Sequence, residues 1–268
     1  MRTTTVTLLS MLLAATAAPA GEMLAEIRAD RVDYFLNAGF ARYGLEPLKT
    51  VGLERSGVHF RINKGTKSET QTGIYSHFSL KGDFEFLADY EVINLPKPSA
   101  GYGMSLGIAA HTAGPVGSVF LTRSHHTEWG TCLVGTREVP TKDAGPEYTA
   151  DSFPTANRKG RLGLRRVGKE VVLLAGEVNG ELAELKRLPF TADPITQLRF
   201  YADTGGAEMP VEGRFTNIVM RAESIDGAPV PPAGGTHWTT YLLLASCGLA
   251  AACGLIYFRR WRANRDQD

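Results

Sequence analysis

Residues 21–237 contain one cysteine, Cys132; the other two, Cys247 and Cys253, lie in an apolar stretch near the C-terminus. An internal disulfide is therefore excluded from the body of the chain, and its stability must come from packing. Charge of one sign is also missing. The formal net charge is +1, which gives no electrostatic footprint for nucleic acid. Helical periodicity is absent after residue 60, where apolar residues recur every second position instead. Several chemical signatures are missing as well. There is no Gly-x-Ser-x-Gly elbow, phosphate-binding loop or dinucleotide fingerprint. No strand carries carboxylates at three successive alternate positions, a spacing that would set a nucleophile about 5 Å from an acid/base.

Two long apolar runs are present, and they differ. Residues 1–20 read as a signal peptide: Arg2, an uncharged stretch over 6–18, and Ala18-Pro19-Ala20 ahead of Gly21. About 13 residues make a helix of roughly 20 Å, too short for a hydrocarbon core of about 30 Å. Residues 238–258 carry no charge and are long enough to span it. Trp238 and Tyr241 stand at one end, and Tyr257, Phe258 and Trp261 at the other. Arg259, Arg260, Arg262 and Arg265 follow, whereas 223–237 has neither Lys nor Arg. The positive-inside rule then predicts a single-pass type I protein, with the large domain outside the cell membrane and residues 259–268 as a basic cytoplasmic tail. A competing expectation is a C-terminal sorting tail that is cut, with the protein handed on to the cell surface. Between body and span, 225–237 forms a linker with Pro229, Pro231, Pro232, Gly234 and Gly235.

The body divides into a lead-in over 21–57 and one β-domain over 58–224. Residues 83–92 show the pattern best: Phe84, Phe86, Ala88, Tyr90 and Val92 share one face, and Asp83, Glu85, Leu87, Asp89 and Glu91 share the other. That predicts a buried face and a wet face. Further strands are expected at 58–62, 74–80, 102–110, 118–127, 130–136, 161–167, 171–178, 182–188, 197–202 and 214–221. Lys81-Gly82, Gly168-Lys169 and Asn179-Gly180 read as turns, the last as a two-residue hairpin. Residues 23–36 fit a short helix or an extended lead-in equally. Many antiparallel strands joined by short turns predict an all-β sandwich or jelly roll.

Several motifs carry a resemblance. They are Gly82-Asp83-Phe84-Glu85, Gly101-Tyr102-Gly103, the run from Gly160 to Gly168, Phe215-Thr216-Asn217-Ile218 and Ala202-Asp203-Thr204-Gly205-Gly206. Together, over about 45–224, they resemble the concanavalin A-like lectin/glucanase jelly-roll superfamily, and they are similar to a planctomycete family of exported domains of unknown function. The resemblance implies a concanavalin-like antiparallel sandwich and brings no active site with it.

The densest polar and aromatic cluster is Arg123-Ser124-His125-His126-Thr127-Glu128-Trp129. Adjacent histidines on a strand point to opposite faces, so this is no zinc site. Arg123, His125, His126, Glu128 and Trp129 instead suit a binding surface, with an indole to stack on a ring and polar groups for hydroxyls. The ligand expected is a carbohydrate or cell-envelope polymer, bound without catalysis. A glycoside hydrolase-like enzyme and a structural or adhesive surface protein are the competing expectations. No cofactor is called for. A structural calcium is the one ion the sequence leaves room for, with Asp143, Glu147 and Asp151 as oxygen donors at a spacing that matches no known loop.

Overall fold

The computed structural model describes residues 25–28, 39–54, 57–65, 71–113, 117–141 and 145–228. The expected signal peptide, most of the expected linker, and the stretches read as span and basic tail lie outside these residues. Among the described residues no helix is long and apolar enough to cross a membrane.

Fifteen strands and one short helix make up the described chain. They are β1 (Ala25–Arg28), β2 (Phe40–Tyr43), α1 (Pro47–Thr50), β3 (Val51–Glu54), β4 (Gly57–Ile62), β5 (Thr72–Ser76), β6 (Ser79–Asn94) and β7 (Gly103–Thr112). There follow β8 (Ser118–His126), β9 (Gly130–Val139), β10 (Glu147–Pro154), β11 (Lys159–Val167), β12 (Glu170–Gly176), β13 (Leu182–Pro189), β14 (Ile195–Asp203) and β15 (Val211–Asp226). Every pairing is antiparallel. One layer runs β2-β5-β14-β7-β8-β9-β10. The other runs β3-β4-β15-β6-β11-β12-β13, with β1 beside β15 in line with β4. The layers join at one corner, where Ile195 of β14 meets Leu80 of β6. This is an all-β antiparallel sandwich of the jelly-roll kind.

Alternation along the strands builds the core. Phe84, Phe86, Ala88, Tyr90 and Val92 of β6 are buried on the inner face, as expected. Across the gap, Phe200 of β14 meets Phe86 at 5.0 Å and Phe215 at 5.3 Å between ring centroids. Such rings bury the largest apolar areas of any side chain, each worth about 1.5–3 kcal/mol or more.

The expected wet face of β6 is not wet. Asp83, Glu85 and Asp89 are all buried. Glu85 is held by Arg165 at 2.6 Å and Arg221 at 2.7 Å, and Asp89 by Arg161 at 3.0 Å. Glu91 is paired with Lys159 at 2.8 Å and with Arg214. The neighbouring strands bring cations into register with Glu85, Asp89 and Glu91, while Asp83 accepts from the Gly168 N–H; Leu87, Val172 and Leu174 form a small buried apolar cluster on the same sheet. The carboxylate row is thus a closed ion-pair ladder on the outer face of the second sheet.

Three expected boundaries also shift. The segment 74–80 is two strands, because the Ser76 hydroxyl bonds the Phe78 carbonyl at 2.9 Å and turns the chain between them. Gly82 is a bulge inside β6, not a turn: its φ is +68°, and a Cβ there would press on the Glu223 side chain opposite. Asn179-Gly180 sits in a longer connection from Gly176 to Leu182, closed by Gly180 N–H on the Glu177 carbonyl at 3.0 Å. In the stretch read as a lead-in, β1 pairs with β15, β2 with β5 and β3 with β4.

Candidate functional site

The outer face of the first sheet carries a groove of ≈ 500 Å³. Its floor follows from the register. Asp203 of β14 lies opposite Ser105 of β7, which lies opposite Ser124 of β8. One row along, Tyr201, Gly107, Thr122 and Val134 are neighbours. Phe120 and Thr136 follow in the next row. Tyr102, Trp129 and Tyr148 line the rim; they are 59%, 43% and 63% exposed, far more than core aromatics.

Two glycine motifs close one end. Tyr102 N–H donates to the Gly205 carbonyl at 3.1 Å, and the Tyr102 hydroxyl donates to Asp203 Oδ2 at 2.9 Å. Gly205 N–H in turn donates to Asp203 Oδ1 at 2.8 Å. Gly205 has φ +58°, and a Cβ there would sit 1.7 Å from the Gly103 carbonyl oxygen. Only glycine permits that approach of the two loops. Burial pushes the Asp203 carboxyl above the usual aspartate range, against the pull of the Gly205 N–H and the Tyr102 hydroxyl. Burial, and after it the same carboxylate, raises the Tyr102 phenol.

Asp203 is the one carboxylate among the described residues that line the groove. Glu138, on the same face of β9, does not line the groove; it stands opposite Tyr148 at the rim, within hydrogen-bonding reach of that residue's hydroxyl. Retaining and inverting glycosidases need two carboxyl groups about 5–9.5 Å apart. Glu85, Asp89 and Glu91 stand on the other sheet's outer face, neutralised. Among the described residues, no three His, Cys, Asp or Glu side chains gather closely enough to hold a metal ion. Glu147 and Asp151 belong to β10, with Asp151 paired to Lys186, and Asp143 lies outside the described residues.

Alternation along β8 divides the cluster singled out from the sequence. His126 and Trp129 line the groove, stacked with centroids 4.1 Å apart and planes at 13°. The backbone N–H groups of Glu128 and Trp129 donate to His126 Nδ1 at 3.1 and 3.3 Å, leaving Nε2 as the ring's donor. The Glu128 side chain is exposed and does not line the groove. Arg123 and His125 go to the opposite side of the strand, where they line a separate cavity. Tyr102 and Asp203 entered the sequence reading only as parts of structural motifs, and Tyr148 and Tyr201 were not singled out at all. The one local hint was glycine on both flanks of Tyr102 and behind Asp203, which marks close backbone approach.

Residues 26–235 match the family described as "Protein of unknown function (DUF1583) C domain". The chain belongs to that family. No curated protein matches it. Among solved structures, one reported with the endo-acting O-glycanases that human gut microbiota express to initiate mucin breakdown aligns with TM-score 0.55 and 12% identity, over 76% of this chain and 99% of that one. A glycoside hydrolase family 16 endo-glucanase from Bacteroides ovatus aligns with TM-score 0.52 and 12% identity, over 76% and 100%. LamAcat from Zobellia galactanivorans gives 0.50 and 7%, over 75% and 98%. Within the family's residues, then, the fold is one that carbohydrate-active proteins share, and what this member does must be argued from its groove.

Proposed function

We propose that this chain is a membrane-tethered, extracytoplasmic binding module whose groove takes a carbohydrate or cell-envelope polymer without cleaving it. The observation that carries the proposal is three exposed aromatic rings around a groove with a single carboxylate among its described lining residues. Tyr102, Trp129 and Tyr148 offer flat faces for sugar rings. Ser105, Thr122, Ser124 and Asp203 offer hydrogen-bonding groups for hydroxyls below them. A pyranose has both kinds of surface, and pockets of this composition fix ligands by few polar contacts on an apolar bed. Tethering rests on the apolar span and its arginine flank; it puts the groove where envelope polymers are.

The test is a glycan array probed with the full chain in detergent, followed by titration of whichever neutral oligosaccharide binds. Trp129→Ala and Tyr102→Ala should each weaken binding about tenfold or more, as loss of a stacking ring does. Binding should survive chelation by EDTA, since no metal is invoked. Release of new reducing ends from a bound oligosaccharide would replace the binding module with the glycoside hydrolase-like reading.

A further inference from the structure

On the other side of β8 from the groove lies a second cavity of ≈ 370 Å³, lined by Arg123, His125, Arg158, Thr131 and Asn94 with Val92, Leu95, Pro96 and Ala156. It occupies the end of the sandwich. Val92 and Asn94 close β6, His125 is near the end of β8, Thr131 is near the start of β9, and Ala156 and Arg158 sit between β10 and β11.

Its charge is unbalanced. Arg123 is only 3% exposed. Its guanidinium donates from Nε to the Asn157 carbonyl at 2.8 Å and from Nη1 to the Ser124 carbonyl at 2.7 Å, with the Tyr90 hydroxyl also in hydrogen-bonding reach. Arg158 donates to the carbonyls of Val92 and Ile93. Neither guanidinium forms an ion pair among the described residues, and no Asp or Glu is among the described lining residues. Burial lowers the pKa of the Arg123 guanidinium from its usual range; the Tyr90 hydroxyl and the Cys132 thiol oppose the shift, and Arg158 adds a smaller push in the same direction as burial. The contrast with Arg166, the other deeply buried arginine, is direct. Arg166 is capped by the carbonyls of Gly82, Thr191 and Asp193, but it also has the carboxylates of Asp83, Glu223 and Asp193 in its field. Along the ion-pair ladder, every arginine has its carboxylate. A buried cation without a counter-charge is costly, and buried charges are as a rule paired.

We infer that this cavity is a subsite for the anionic group of an acidic sugar. The proposal rests on the carbohydrate-binding reading of the groove, because both sites flank the same turn: His126 and Trp129 face one, Arg123 and His125 the other. Each guanidinium has N–H groups left over, a match for a planar carboxylate or a sulfate ester. Val92, Leu95, Pro96 and Ala156 supply the apolar wall against which a ring would lie. At ≈ 370 Å³ the cavity is at the lower end of the range of about 300–1,000 Å³ for ligand pockets.

The experiment titrates the full chain in detergent with trigalacturonate, a sulfated trisaccharide, inorganic sulfate and the neutral oligosaccharide found for the groove. It compares the unaltered protein with Arg158→Glu, His125→Ala and Trp129→Ala. Arg158 is exposed and bonds only carbonyls, so its replacement leaves the core intact. The expected result is binding of trigalacturonate, of the sulfated sugar or of both, weakened about tenfold in Arg158→Glu and in His125→Ala, with neutral-sugar binding unchanged. Preference between the first two ligands tells carboxylate from sulfate ester. Equal binding of the charged sugars by Arg158→Glu overturns the inference, as does binding of inorganic sulfate with neither charged sugar bound. Neutral-sugar binding lost in Trp129→Ala, with no charged sugar bound at all, leaves the groove reading standing and removes this one. Charged-sugar binding sensitive to Arg158→Glu, with no neutral sugar bound, keeps the subsite and removes the groove.

Discussion

His111 shows what a single side chain contributes beside the groove, next to its lining residue Phe120. Its Nδ1 shares a 2.6 Å hydrogen bond with the Ser118 hydroxyl, and its ring stands edge-on to Phe120. Burial, helped by Arg199, lowers its pKa from 6.5 to about 3. The folded protein therefore keeps this imidazole neutral while an unfolded chain protonates it. Between about 6.5 and about 3 the unfolded state holds the extra proton, so stability is full above that window and falls as pH drops through it. Denaturant titrations at pH 7 and pH 4.5 should show His111→Gln losing less stability on acidification than the unaltered protein. Gly205 is the second residue whose identity is dictated. With φ +58° and the Gly103 carbonyl in the way, Gly205→Ala should cost about 1–3 kcal/mol from conformation alone, plus the clash. Because Gly205 also orients Asp203, the variant should lose neutral-sugar binding even at temperatures where it remains folded, which circular dichroism alongside titration will resolve.

Among the elements, β6 shows how local pattern and partner strands divide the work. Its buried face could be read from Phe84, Phe86, Ala88, Tyr90 and Val92 alone, because period two needs no partner. The fate of its other face depended on arginines brought by β11 and β15, one of them over a hundred residues away, and nothing local to β6 announces them. Most of the β-domain strands were legible in the same way. β10 was not, because it is an edge strand whose side chains are mostly exposed, so no apolar alternation marks it. The groove was half legible. His126 and Trp129 stood out as a cluster, but Tyr102 and Asp203 come from β7 and β14 ends that meet only through long-range pairing. The ladder also yields a prediction. Glu85→Gln should lower stability by about 1–3 kcal/mol, since two charged hydrogen bonds weaken at a buried position. Arg165 and Arg221 keep partial access to water, so the loss should shrink in high salt. A double-mutant cycle of Glu85→Gln with Arg221→Ala, read by denaturant titration, measures the coupling.

At the scale of the whole molecule, the expected order is leader, sandwich, linker, span and tail. A reporter active only in the cytoplasm, fused after Asp268, should be active in intact cells; a silent one would reverse the topology or point to removal of the C-terminus. The order of strands in space has a separate consequence, for time. The last two strands in the chain are central ones: β14 lies between β5 and β7, and β15 lies between β6 and the pair β4 and β1. Strand β1 waits for partners nearly two hundred residues downstream, Ala25 pairing with Ala222. During synthesis or threading through a translocon, everything up to β13 emerges with both sheets lacking a middle strand. Such a chain has long loops to close before its contacts reward it, and folding is slow for that reason. Its apolar faces stay uncovered meanwhile, so a nascent chain stopped before Val211 should be held by chaperones or degraded. Completion of β15 should therefore be the step that commits the domain to fold, just ahead of the expected linker.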